Sequence, residues 1–116
     1  TLEVRVSRIP EAGLGLFAKI KIPRGSWICE YRGDVLRTVA AIRLTDKRYL
    51  MRLGPQQYVD AGRHWHVLAR YINDARDPAG NNAIFDKVPD KSMARVMVTR
   101  DIETGDEIYA DYGKLY

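Results

Sequence analysis

What most constrains this chain is a succession of short runs with β character, cut every few residues by glycine, proline and charged turns. Leu2-Glu3-Val4-Arg5-Val6-Ser7-Arg8-Ile9 alternates apolar and polar side chains, the period of a half-buried strand, and ends at Pro10 and the glycines beyond it. Strands are likewise expected over 15–18, 27–31, 49–53, 57–60, 94–99 and 107–110, with Pro23-Arg24-Gly25, Gly54-Pro55 and Thr104-Gly105-Asp106 as turns between them. Between Val35 and Leu44 the pattern lapses into Ala, Leu and Arg, which predicts one short helix, and a helical turn is expected from Val67 to Ile72. Many short strands with so little helix predict a small, mostly β fold. They argue against the doubly wound dinucleotide fold, whose glycine fingerprint must join a strand to a helix. The longest irregular stretch, 73–82, crowds Asp, Arg, Pro, Gly and Asn into a loop of the kind that often carries function.

Length sets the scale: 116 residues, 46% of them hydrophobic, close one core and predict a single domain over 1–116. A fold this small buries a modest share of its surface, so help is expected from flanking sequence or a second subunit, a homodimer being one form of it. The abrupt start and end suggest an excised domain. The net charge of +4 is spread along the chain with no basic stripe, so direct nucleic-acid binding is not expected. Cys29 is the only cysteine, which excludes an internal disulfide and any zinc site with two thiolates, and its apolar-leaning neighbours Trp27 and Ile28 predict a buried, inert thiol. No stretch approaches the roughly 18 apolar residues that span a bilayer, and no signal-peptide core is present, so an intracellular location is expected.

Four segments carry the chemistry. Gly13-Leu14-Gly15-Leu16-Phe17-Ala18 sets two glycines ahead of a short apolar strand, a turn that a ligand can approach closely. Glu30-Tyr31-Arg32-Gly33-Asp34-Val35 places an aromatic hydroxyl two residues before a glycine corner. Arg70-Tyr71-Ile72-Asn73-Asp74 leads into Ala75-Arg76-Asp77-Pro78, and Gly105-Asp106-Glu107-Ile108-Tyr109-Ala110-Asp111-Tyr112-Gly113 closes the chain with a charged turn, a strand and Asp-Tyr-Gly. Each is common alone. In this order, over nearly the whole chain, they resemble the SET domain of protein lysine methyltransferases.

That resemblance implies a β-rich fold (β-clip) in which the Asn-containing loop and the terminal strand knot together, with cofactor and substrate entering a narrow channel from opposite faces. It also implies S-adenosylmethionine as cofactor, a protein lysine as substrate, a histone tail first among candidates, and a nuclear location as the family default. By the same likeness Gly13, Leu14, Gly15, Tyr49, Arg70, Asn73 and Asp74 would serve the cofactor. Asn73 would hold its methionine end, Asp74 would meet the adenine through its main chain, and Arg70 would support the loop. Tyr112 would be the central catalytic tyrosine, Tyr31 and Tyr49 would wall the lysine channel, and Ala110 would face it with Tyr31 and Tyr112. Methyl transfer from a sulfonium to an amine is an in-line displacement that needs positioning and a neutral amine, so no metal and no dedicated base are called for.

The chain departs from the family pattern at two positions. Asp74 stands where the family usually has His, and Ala110 stands where it generally has Phe or Tyr. The smaller residue leaves room for a methylated lysine and so for di- or trimethylation. The family's cysteine-rich zinc segment is missing beyond Gly113, which leaves downstream residues or another subunit to complete the substrate wall. A basic peptide would also need acidic residues such as Asp34 or Asp60 along its groove. Two other readings compete: a non-catalytic SET-like module that binds a chromatin protein or peptide, and a zinc hydrolase built on His64-Trp65-His66 with Asp60.

Overall fold

Strand formation follows the β-branched and aromatic content of the short runs, and each strand finds an antiparallel neighbour. A computed structural model describes residues 1–112. Strands β1 (Leu2–Val6) and β2 (Leu14–Ala18) form a hairpin that pairs Val4 with Leu16. Strands β3 (Trp27–Tyr31), β7 (Ala83–Val88) and β8 (Met93–Val98) make a second sheet in the order β3-β8-β7. Strands β4 (Asp34–Leu36), β5 (Leu50–Gly54) and β6 (Gln57–Asp60) make a third in the order β4-β6-β5. One core joins the three sheets, with Leu16, Tyr31, Met51, Val59, Val96, Ile108 and Ala110 almost wholly buried.

Helix α1 spans Thr38–Ile42, shorter than the expected 35–44, because Asp34–Leu36 are taken into β4 by pairing with Tyr58–Asp60. A 3₁₀ turn at Leu68–Tyr71 stands where a helical turn was expected. Strand β1 stops at Val6 instead of reaching Ile9, because the Ser7 hydroxyl and the Arg8 N–H turn inward to a buried carboxylate. Strand β7 was not anticipated: Asp86 and Lys87 break its alternation. The expected strand over 107–110 is reduced to isolated bridges, Phe17 to Glu107, Asn73 to Tyr109 and Ala83 to Ala110. His64-Trp65-His66 lies in a turn instead of on a strand face.

Candidate active site

The site grows out of the junction between the 73–82 loop and the end of the described chain. Asn73 opens the loop and Ala83 closes it, and the terminal segment runs parallel to both, Tyr109 beside Asn73 and Ala110 beside Ala83. The Ala110 N–H donates to the Asn73 carbonyl at 3.0 Å, and the Ala83 N–H donates to the Tyr109 carbonyl at 3.0 Å. Because this crossing has no regular ladder, side chains supply the remaining partners. The buried Asn82 amide donates to the Glu107 carbonyl at 3.0 Å and its oxygen accepts the Tyr109 N–H at 2.9 Å. Asp74 caps the loop from inside: its carboxylate accepts the Arg76 N–H at 2.7 Å, the Asn81 amide at 3.3 Å and the Tyr112 N–H at 3.4 Å. Asp74 and Arg76 thus meet through the main chain.

Glu107 lies beneath this crossing, 2% exposed. One carboxylate oxygen accepts the Ser7 hydroxyl at 2.7 Å and the Asn73 amide at 3.1 Å; the other accepts the Arg8 N–H at 2.8 Å and the Tyr109 hydroxyl at 2.9 Å. Gly15 makes that burial possible, since a Cβ there would fall 2.3 Å from Glu107 Oε2. In the sequence Glu107 carries no signal of this burial, because a carboxylate at the start of the expected strand 107–110, next to the turn at Asp106, reads as solvated.

Beside the junction four aromatic rings gather. Tyr31 meets Phe85 edge to face at 5.7 Å, and Phe85 meets Tyr112 at 4.9 Å. The Tyr31 hydroxyl donates to the Tyr49 carbonyl at 2.6 Å and the Tyr112 hydroxyl to the Ile72 carbonyl at 2.5 Å. Burial, reinforced by neighbouring tyrosines, pushes both phenols far above their ordinary range, so both are neutral at any working pH. Arg70, almost fully buried, donates to the carbonyls of Ala61 and Gly62 and lies 3.9 Å from the centre of the Tyr49 ring. Tyr49, Arg70, Asn73, Asp74 and Tyr112 all line one open groove of about 1180 Å³, together with Ile9–Ala12. A smaller hollow of about 450 Å³ is lined by Cys29, Gly33, His64 and His66.

The SET domain family profile matches residues 13–113, most of the chain. The chain belongs to the SET-domain family. Its relatives include the histone-lysine N-methyltransferase, H3 lysine-4 specific, of Cryptococcus neoformans, 34% identical over 95% of this chain and 8% of that protein. Human histone-lysine N-methyltransferase 2B is 32% identical over 94% of this chain and 4% of its own length. Among solved structures, a chain from the crystal structure of an active polycomb repressive complex 2 in the basal state superposes with a TM-score of 0.81 at 28% identity, over 98% of this chain and 15% of that one. The chain therefore spans less than a tenth of these two curated relatives.

Within this SET domain the residues singled out from sequence divide into three groups. Tyr49, Arg70, Asn73, Asp74 and Tyr112 converge on the groove. Tyr31 and Ala110 are fully buried and support it from the core side. Gly13 adopts a left-handed φ of 76°, which suits its glycine, and Leu14 reaches the groove residues through its carbonyl, which accepts the Asn73 amide at 3.0 Å. Gly15 contacts Glu107 and Asn73. Phe85, which bridges Tyr31 and Tyr112, was missed with the strand that carries it. Gly113 lies outside the described residues.

Other expectations need correcting or placing. Asp60 is buried and Asp34 is held by Arg63 and His64; the carboxylates that line the groove with Asn73 and Tyr112 are Asp74, Asp77 and Asp111. His64 takes Asp34 at 3.0 Å, and among the described residues no three His, Cys, Asp or Glu side chains are grouped to hold a metal ion. Desolvation, with Glu30 nearby, pushes the Cys29 thiol up to about 12, which keeps it protonated and poorly nucleophilic. No helix among the described residues is long and apolar enough to cross a membrane.

Proposed function

We propose that this SET domain transfers methyl groups from S-adenosylmethionine to the side-chain amine of a protein lysine, with a histone as the substrate and the nucleus as its location. The observation that carries the reading is the convergence of Tyr49, Asn73, Asp74 and Tyr112 on one groove beside a cluster of neutral aromatic rings. The relatives named as histone-lysine methyltransferases support the substrate class.

The donor set fits the cofactor. A groove of about 1180 Å³ is ample for a nucleoside with an amino-acid tail. The Asn73 amide nitrogen is committed to two acceptors, Leu14 O and Glu107 Oε2, which fixes the carboxamide orientation. Its oxygen accepts no hydrogen bond among the described residues and suits an ammonium donor. Asp74 offers negative charge to a cationic ligand, and Arg48 and Arg76 on the groove wall suit a carboxylate. S-adenosylmethionine, when bound, supplies the methyl group on a sulfonium.

The chain's own residues would do the rest by positioning. Tyr112 spends its hydroxyl proton on the Ile72 carbonyl, which leaves a phenol oxygen lone pair to accept from a lysine amine and orient it, while the buried Tyr31 holds the Tyr49 backbone from the core side. Being neutral, neither tyrosine acts as a base. A free lysine amine titrates near 10.4 and must lose its proton to react. The apolar rings of Phe85 and Tyr112 and the buried Arg70 charge favour the deprotonated amine by desolvation and by repulsion.

Transfer of labelled methyl from S-adenosylmethionine to core histones, with mass spectrometry to place the label, tests the reading directly. Lysine labelling is expected, and Tyr112→Phe should lower it by about two orders of magnitude while costing only about 1 kcal/mol of stability for one lost hydrogen bond. A chain that neither transfers methyl nor binds the cofactor by calorimetry would make it a SET-like binding module instead.

A further inference from the structure

The buried carboxylate of Glu107 has a use beyond holding the fold. We infer that Glu107 is the positioning residue for cofactor recognition: it orients the Asn73 carboxamide so that its oxygen, and not its nitrogen, is left for the groove. The inference rests on the proposed cofactor reading and adds to it the group that sets the polarity of its key contact.

Geometry makes the argument. A carboxylate only accepts, with about four lone-pair sites, and Glu107 receives four donors: Ser7 Oγ, Arg8 N, Tyr109 Oη and Asn73 Nδ2. The Asn73 amide thus faces an acceptor on one side and a second acceptor, the Leu14 carbonyl at 3.0 Å, on the other. A flipped Asn73 would set its oxygen against both, so the orientation is strongly determined. Gly15 belongs to the same device. An added Cβ would lie 2.3 Å from Glu107 Oε2 and 3.3 Å from Asn73 Nδ2, so the second glycine of Gly13-Leu14-Gly15 is required by the carboxylate and amide behind the turn.

Glu107→Gln separates this role from a structural one, because it keeps the shape and changes only the polarity. The new amide has one oxygen and one NH₂ to place. The Arg8 N–H is a fixed backbone donor, so it takes the oxygen and sends the NH₂ toward Ser7 and Asn73. The Ser7 hydroxyl can rotate to accept, whereas Asn73 must flip, giving up the Leu14 carbonyl and offering its own NH₂ to the groove.

The experiment compares two ligands by calorimetry on the intact chain: S-adenosylmethionine, and methylthioadenosine, which has the nucleoside and sulfur but no amino-acid tail. Glu107→Gln should weaken S-adenosylmethionine by roughly 10- to 100-fold, the range for a hydrogen bond to a charged group, and leave methylthioadenosine within about twofold. Ser7→Ala removes a donor from the same oxygen without turning Asn73, and should leave the ratio of the two affinities unchanged. Gly15→Ala, which displaces Glu107 from Asn73 by contact alone, should repeat the selective loss even where Glu107→Gln does not fold. Equal weakening of both ligands in whichever of these two variants folds, or no weakening of either, would overturn the positioning role. Failure of the parent chain to bind S-adenosylmethionine at all would instead overturn the cofactor reading on which it stands.

Discussion

The sheet β4-β6-β5 and the junction around Asn73 are held together by different means. The sheet joins residues 34–60, near neighbours in sequence, through antiparallel backbone pairing, and a small satellite core of Ala41, Leu50 and Tyr58 seals it to α1. Val35 of β4 and Val39 and Ile42 of α1 stay exposed. The junction gathers Ser7, Arg8, Leu14, Asn73, Asn82 and 107–112, and apart from the Tyr109 to Glu107 bond the side-chain bonds among them join residues 25 to 100 positions apart. In the sheet a lost side chain leaves the ladder standing. In the junction each polar side chain replaces a ladder bond, so its loss strands a buried group with no alternative partner. The groove sits on the second kind of structure, where placement is stiff and fragile together.

The comparison breaks most visibly at Asn82. Asn82→Ala orphans the Tyr109 N–H and the Glu107 carbonyl, and should cost about 3 kcal/mol for two buried polar groups. Thermal denaturation measures it, and a loss of less than about 1 kcal/mol, the worth of one ordinary hydrogen bond, would mean that the junction can reseal itself as the sheet does. Ala110 gives a smaller effect at the same crossing. It has no exposed surface, so Ala110→Phe overpacks and should cost about 2 kcal/mol. On the proposed reading the parent product includes di- or trimethyl-lysine and the Phe variant stops at monomethyl. Mass spectrometry reads both, and a parent that stops at monomethyl counts against alanine as the source of room.

Legibility in the sequence follows the same division. Alternation located β3 and β6 to the residue and β2, β5 and β8 within one position, because regular pairing rewards period-two patterns locally. The likeness to the SET domain, carried by the order of the motifs, singled out Tyr49, Arg70, Asn73, Asp74 and Tyr112, and all five line one groove. Glu107 and Asn82 could not be read in this way, since a buried carboxylate and amide look like turn residues until the chain segments they satisfy are brought together from far away. Phe85 escaped for a local reason: Asp86 and Lys87 beside it pair across to Arg95 and Ala94, a cross-strand match invisible within one strand. Asp34 and Asp60 were read as groove residues because nothing local says which of two carboxylates turns inward.

Those two carboxylates also provide the gentlest test, inside the robust region. Asp34 and Asp60 face each other across β4 and β6, yet their titrations are shifted in opposite directions. The His64 hydrogen bond, with Arg63 behind it, lowers Asp34, while desolvation raises Asp60 against the pull of the Gly62 N–H. For an acid lowered in the fold, the stabilisation is full above the ordinary carboxylate range near pH 4 and is lost as pH falls through the folded value. For an acid raised in the fold, the cost of its charge grows as pH rises through the ordinary value and is complete above the folded one. Asp34→Asn should therefore lower stability at neutral pH and converge with the parent in acid, whereas Asp60→Asn should show a relative gain as pH rises from acid to neutral. The Asp34 effect is small, less than about 1 kcal/mol for a solvent-accessible, partly buried pair, and removing its charge also eases Asp60, which shrinks it further. Denaturant midpoints at pH 3 and pH 7 measure both slopes. Slopes of the same sign in the two variants would mean that the pair titrates as one coupled unit, and that even the regular sheet carries a junction-like dependence between buried and exposed charge.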